Sequence, residues 1–90
     1  MRVLVQVFRS PRKQETYLYV AKAHGLVDVP DDLMNQFGEP EAIMTLVLEP
    51  SSKLARANAA EVLADIAGKG FYLQMPPTAA ELLRRDGQGE

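Results

Sequence analysis

The sequence predicts an α+β fold: a small, mainly antiparallel β-sheet packed by helices. Three observations lead there. Segments 2–9 and 16–20 each carry apolar side chains on both faces, the pattern of strands covered on both sides. The link between them is short, holds Pro11 and several charges, and so demands an antiparallel pair. Further along, helical stretches with start and stop signals alternate with two more extended runs, in the order β-β-α-β-α-β-α. That order puts helices on two sides of the sheet, and both a three-layer α/β/α and a two-layer α+β sandwich satisfy it. With 90 residues the chain is long enough for one core and too short for two, so a single domain is expected over 1–85, with a polar frayed tail over 86–90.

In the first strand Val3, Val5 and Val7 share one face, while Leu4 and Phe8 lie on the other beside Gln6. The second sets Tyr17 and Tyr19 against Leu18 and Val20. Pro30 then opens a helix of about two turns, with Asp31 and Asp32 suited to its positive N-terminal end, and Gly38 and Pro40 stop it. Leu33, Met34 and Phe37 form the stripe that docks this helix on the sheet.

Ala42 to Leu48 is the most hydrophobic run and contains β-branched Ile43, Thr45 and Val47, which predicts a buried, central strand. A longer helix follows, beginning near Leu54 or near Asn58, where Asn58 with Glu61 resembles a capping box. Its stripe is Ala59, Val62, Leu63 and Ile66, and Gly70 is the natural left-handed stop. "FYLQM" reads as the last strand, with Phe71, Leu73 and Met75 inward and Tyr72 and Gln74 near the rim. Pro76 and Pro77 end it, and "TAAELLRR" makes a final helical turn or two capped by Thr78.

Composition removes whole classes of function. A net charge of −2 gives no general attraction to phosphate, so nucleic-acid binding would need a local basic patch. The absence of cysteine excludes a disulfide framework, thiolate metal sites and a thiol nucleophile, and fits a reducing, cytoplasmic setting. No apolar run approaches the roughly 18 residues of a membrane span, and the N-terminus lacks a signal-peptide cleavage site, so no membrane partner is expected.

Chemistry-bearing residues are sparse. His24 is the single histidine and sits beside Gly25 in a polar loop, the setting of a solvated side chain. Asp31 and Asp32 are accounted for by the helix start, Glu39 and Glu41 flank a proline turn, and Asp28 adds no calcium-loop spacing. The "GKG" at 68–70 follows a helix where a phosphate loop would precede one. Hence no catalytic residue, metal site or cofactor is expected. What remains is a basic cluster beside aromatics: Arg9, Arg12 and Lys13, with Lys22 nearby and Tyr17 and Tyr19 on one strand face. Such a group can stack on and neutralise a single strand of RNA, or the tyrosines can instead pack under a helix.

Three blocks resemble the small bacterial YcgL proteins. They are Phe8-Arg9-Ser10 with Thr16 to Val20, Val29 to Met34 running on through Phe37, Gly38 and Pro40, and Gly70 to Pro77. They stand in the family's order and spacing over almost the whole chain, although the family often shows Tyr where this chain has Phe8. The resemblance implies a cytosolic α/β sandwich on a small antiparallel sheet, and it brings no catalytic residue, ligand or cofactor with it.

The leading expectation is therefore a non-enzymatic protein-interaction module contacting an unidentified protein partner through Arg9, Arg12, Lys13, Tyr17, Tyr19, Tyr72 and Gln74. Weak binding of single-stranded RNA through the hairpin cations and tyrosines is the alternative. A small enzyme or ligand-binding protein comes third, and would need a pocket gathering at least two of His24, Asp31, Asp32 and Glu39. Oligomeric state is open, because an exposed edge strand could pair with a second copy.

Overall fold

The computed structural model describes residues 2–54 and 57–76. Pro77, the expected helix over 78–85 and the expected tail lie outside the described residues. The elements are β1 (Val3–Arg9), β2 (Tyr17–Ala21), α1 (Asp31–Phe37), β3 (Glu41–Leu48), α2 (Ala59–Lys69) and β4 (Tyr72–Gln74). The four strands form one sheet in the order β3-β1-β2-β4, and every neighbouring pair is antiparallel. The fold is thus α+β, as expected.

Alternation along β1 and β2 sorts the core into two clusters, one on each sheet face. Val5, Val7 and Tyr19 join Leu48 beneath Ala59 and Val62 of α2. On the other face Leu18 and Val20 meet Val29 and Phe37, with Phe8, Leu33, Met34 and Leu73 packed around them. The apolarity of β1 and β2 on both faces therefore has a direct cause, since α2 covers one face and α1 the other. Each buried aliphatic side chain of this kind contributes about 1.5–3 kcal/mol.

The helix ends follow local chemistry. Asn58 has extended backbone and its side-chain oxygen accepts from the Glu61 amide at 3.2 Å, so α2 begins at Asn58 and not at Leu54. Gly70 takes φ 95°, ψ −3°, and its amide returns to the carbonyls of Asp65 and Ile66. Pro30 stands immediately before α1, and Gly38 closes that helix with φ 86°.

Two expectations are corrected. The run Ala42–Leu48 is an edge strand, not a buried central one: of β3 only Leu48 is buried, whereas Met44 and Val47 are 52% and 56% exposed. The centre is taken by β1 and β2; β2 is covered on both faces, and β1 is covered by α2 on one face and at Phe8 on the other, where Leu4 stays exposed. Nor do Tyr72 and Gln74 sit at the rim. They share the sheet face of Tyr17 and Tyr19 that α2 covers, so Gln74 is buried and Tyr72 half-buried, while Met75 beyond the strand is exposed.

Candidate functional site

The β1–β2 connection gathers the basic residues. Ser10 leaves β1 and its amide donates to the Thr16 carbonyl at 3.0 Å, closing the loop over 10–16. The Ser10 hydroxyl is its hub. Oγ donates to the Phe37 carbonyl at 2.6 Å and accepts from the amides of Arg12, at 3.2 Å, and Lys13, at 3.0 Å. One buried side chain thus ties the loop to the end of α1 and holds the two cationic residues in a fixed turn. Thr16, also buried, donates its hydroxyl to the Gln14 carbonyl at 3.2 Å.

Around this turn Arg9, Arg12, Lys13 and Tyr17 line an open depression of about 530 Å³, together with Glu15 and Glu41. Three cations therefore face two carboxylates. Arg9 donates to Glu41 Oε1 from Nη2 at 2.6 Å and from Nε at 3.2 Å. That hydrogen bond, and then the charge of Glu41, raise the Arg9 pKa above its ordinary value. Both side chains are about half exposed, so the pair orients the end of β1 against β3 and adds little stability. Arg12 is positioned differently: its stem lies over Gly38, and Nη1 donates to the Asn35 carbonyl at 3.4 Å.

The other candidates go into the core. Tyr19 donates its hydroxyl to Gln74 Oε1 at 2.9 Å, and its ring meets Tyr72 edge-on with centroids 5.6 Å apart. Burial, followed by the nearby charges of Glu61 and Asp65, raises the Tyr72 pKa. Tyr19, Tyr72 and Gln74 thus lock β2 to β4 under α2. Arg9, Arg12, Lys13 and the half-buried Tyr17 form the part of the expected surface that faces outward.

His24 lies elsewhere, with Asp28 and Lys69, on a partly open depression of about 440 Å³ between the end of α2, the start of β1 and the end of β2. Asp31, Asp32 and Glu39 do not line it. Among the described residues no group of three His, Cys, Asp or Glu side chains is arranged to hold a metal ion, and no helix is long and apolar enough to cross a membrane.

Ser10 is the residue that reading the sequence missed. The Ser-Pro pair marks a turn, but its bond to a carbonyl 27 positions away is visible only in three dimensions. Ser10→Ala is expected to cost about 1–3 kcal/mol, because a buried carbonyl contact and two part-buried amides lose their partner. Urea denaturation measures it. A change within about 0.5 kcal/mol, the range of ordinary surface substitutions, would show that the hydroxyl is dispensable to the turn.

Comparison with known proteins identifies a family. The model of the YcgL domain matches residues 5–77. A YcgL domain-containing protein of Chromohalobacter salexigens is 49% identical over 82 residues, covering 91% of this chain and 85% of the relative. One from Cellvibrio japonicus is 43% identical over 77 residues, covering 86% and 79%. Another, from Hahella chejuensis, is 49% identical over 76 residues, covering 84% and 72%. The matched span includes both core clusters, the Ser10 turn and the Tyr19–Gln74 lock, and on that evidence the chain belongs to the YcgL domain family.

Proposed function

We propose that the chain is a non-enzymatic protein-interaction module whose contact surface is the basic end of the β1–β2 hairpin, fitted to an acidic segment of a partner protein in the cytoplasm. One observation carries this reading: Arg9, Arg12, Lys13 and Tyr17 converge on a single open depression. Glu41 locally compensates Arg9, and Arg12 with Lys13 outnumber Glu15, so the depression stays net positive. Tyr17 supplies apolar area with a polar tip, and Arg and Tyr are residue types favoured at interface hot spots. The Ser10 turn removes much of the ordering cost that a mobile loop would incur on binding.

The test is affinity capture from lysate by the purified protein, compared with an Arg12→Glu, Lys13→Glu double variant of unchanged circular dichroism. A partner retained by the natural chain is expected to be lost from the variant, because reversing two charges turns attraction into repulsion. Capture that is indifferent to the reversal would sink the reading. Weak RNA binding rests on the same cations, with Tyr17 as the one tyrosine that lines the basic depression, since Tyr19 is buried and Tyr72 packs edge-on against it. Anisotropy of labelled RNA at two salt concentrations separates the readings, because binding through phosphates falls steeply with salt.

A further inference from the structure

We propose that β3 pairs with the β3 of a second copy, antiparallel about a two-fold axis through Thr45, so that two sheets join into one. The reasoning is independent of the hairpin surface. β3 is the terminal strand of the sheet and one of its longest elements at eight residues. One row of its backbone N–H and C=O groups therefore faces outward. Natural edges are usually blunted by lysine, proline, an inward charge or a bulge; Ala42–Leu48 contains none of the first three, and its one bulge lies at the Ala42 end. Ile43, Met44 and Val47 are instead 42%, 52% and 56% exposed, and Leu4, opposite Val47 on β1, is 48% exposed.

The occupant is identified by the symmetry of the strand itself. About Thr45 the run 42–48 is close to a chemical palindrome: Ile43 mirrors Val47, Met44 mirrors Leu46 and Ala42 mirrors Leu48. With the axis at Thr45, residues of equal face meet across the seam, as antiparallel pairing requires. Thr45 and Val47 lie opposite Gln6 and Leu4 on one face, whereas Met44 and Leu46 lie opposite Val7 and Val5 on the other. Two β-branched Ile43–Val47 pairs then flank a central Thr45 pair, with Met44–Leu46 pairs behind them. A bulge sets Ala42 and Ile43 both against Phe8, so the regular part of the seam is centred on Met44–Leu46 and the Ile43–Val47 pairs lie at its two ends.

The flanks fit as well. Glu41 falls opposite the second copy's Glu49, but each carboxylate already holds an arginine of its own chain, Arg9 and Arg2. Head-to-tail growth is disfavoured, because the opposite edge, β4, offers three residues and is followed within two positions by Pro76. Isologous pairing about Thr45 matches Ala42–Leu48 with its own copy, seven residues with seven at most, and it closes. A single strand seam covers less than the roughly 800 Å² per partner of a standard interface, so the dimer should be concentration-dependent.

Sedimentation equilibrium of the full chain over a concentration series, with cysteine crosslinking, tests this. The natural chain should show a monomer–dimer equilibrium, and Val47→Lys should weaken association by at least about tenfold, since lysine on an edge opposes pairing. The chain has no cysteine, so Thr45→Cys introduces a single thiol at the axis and should crosslink to itself with a short bismaleimide. Val47→Cys should not, because its thiol would face Ile43 of the second copy and lie roughly 13 Å along the seam from its own counterpart, taking about 3.4 Å per residue. A chain that stays monomeric at millimolar concentration, a dimer indifferent to Val47→Lys, or equal crosslinking at both cysteines would each overturn the proposal.

Discussion

Phe37→Ala is expected to destabilise the fold by about 3–5 kcal/mol, the usual cost of deleting a fully buried aromatic ring. Phe37 is 1% exposed and is among the largest fully buried side chains of the described residues. It is the one buried residue of α1, and it anchors that helix against Leu18 and Val20 of β2. Its loss leaves a cavity under a seven-residue helix that makes few other deep contacts. A domain of this size has only about 5–15 kcal/mol of total stability, so much of the population would unfold on modest warming. Functional effects should follow, because the Phe37 carbonyl also receives the Ser10 hydroxyl that orders the basic turn. Urea denaturation checks the value, with Val27→Ala at an 84% exposed position as the neutral control. A loss below about 1 kcal/mol would mean that α1 is not a structural layer of the core.

Gly70→Ala should cost about 2–5 kcal/mol through two separable causes. At φ 95° an L-residue bears a left-handed penalty of about 1–2 kcal/mol. A Cβ there would also run into Asp28 Cβ and lie 2.6 Å from Asp28 Oδ2, and such overpacking adds about 1–3 kcal/mol. Asp28→Gly removes the obstructing side chain and leaves the backbone strain. The double variant is therefore expected to recover part, but not all, of the stability lost in Gly70→Ala. Full recovery would mean that the left-handed backbone costs nothing. No recovery would mean that Asp28 and Gly70 are not in contact.

Features governed by neighbours in sequence were legible from the residues alone. Asn58 with Glu61, Gly70 and Gly38 behave as their local chemistry dictates, and the short link between β1 and β2 leaves antiparallel pairing as the available geometry. The basic cluster was legible for the same reason, because Arg9, Arg12, Lys13 and Tyr17 are brought together by one hairpin. What failed depended on long-range placement. Apolarity on both faces marks β2, covered twice, and β1, covered on its second face only at Phe8, but it equally marks β3, whose side chains remain largely exposed. The alternation of Tyr72 and Gln74 in β4 correctly separates two faces, yet the position of α2 decides that theirs is covered. Ser10 went unnoticed because its partner, Phe37, belongs to another element.

The claim that the basic hairpin end is the contact surface is tested most directly by photo-crosslinking in living cells. A benzophenone amino acid is placed at exposed Gln14, within the turn, and in a second variant at exposed Ala64, on the outer side of α2. The account predicts a discrete, nuclease-resistant protein adduct from Gln14 that Arg12→Glu, Lys13→Glu abolishes, and no such adduct from Ala64. Adducts of the same pattern and yield from both positions, or an adduct from Ala64 alone, would contradict it.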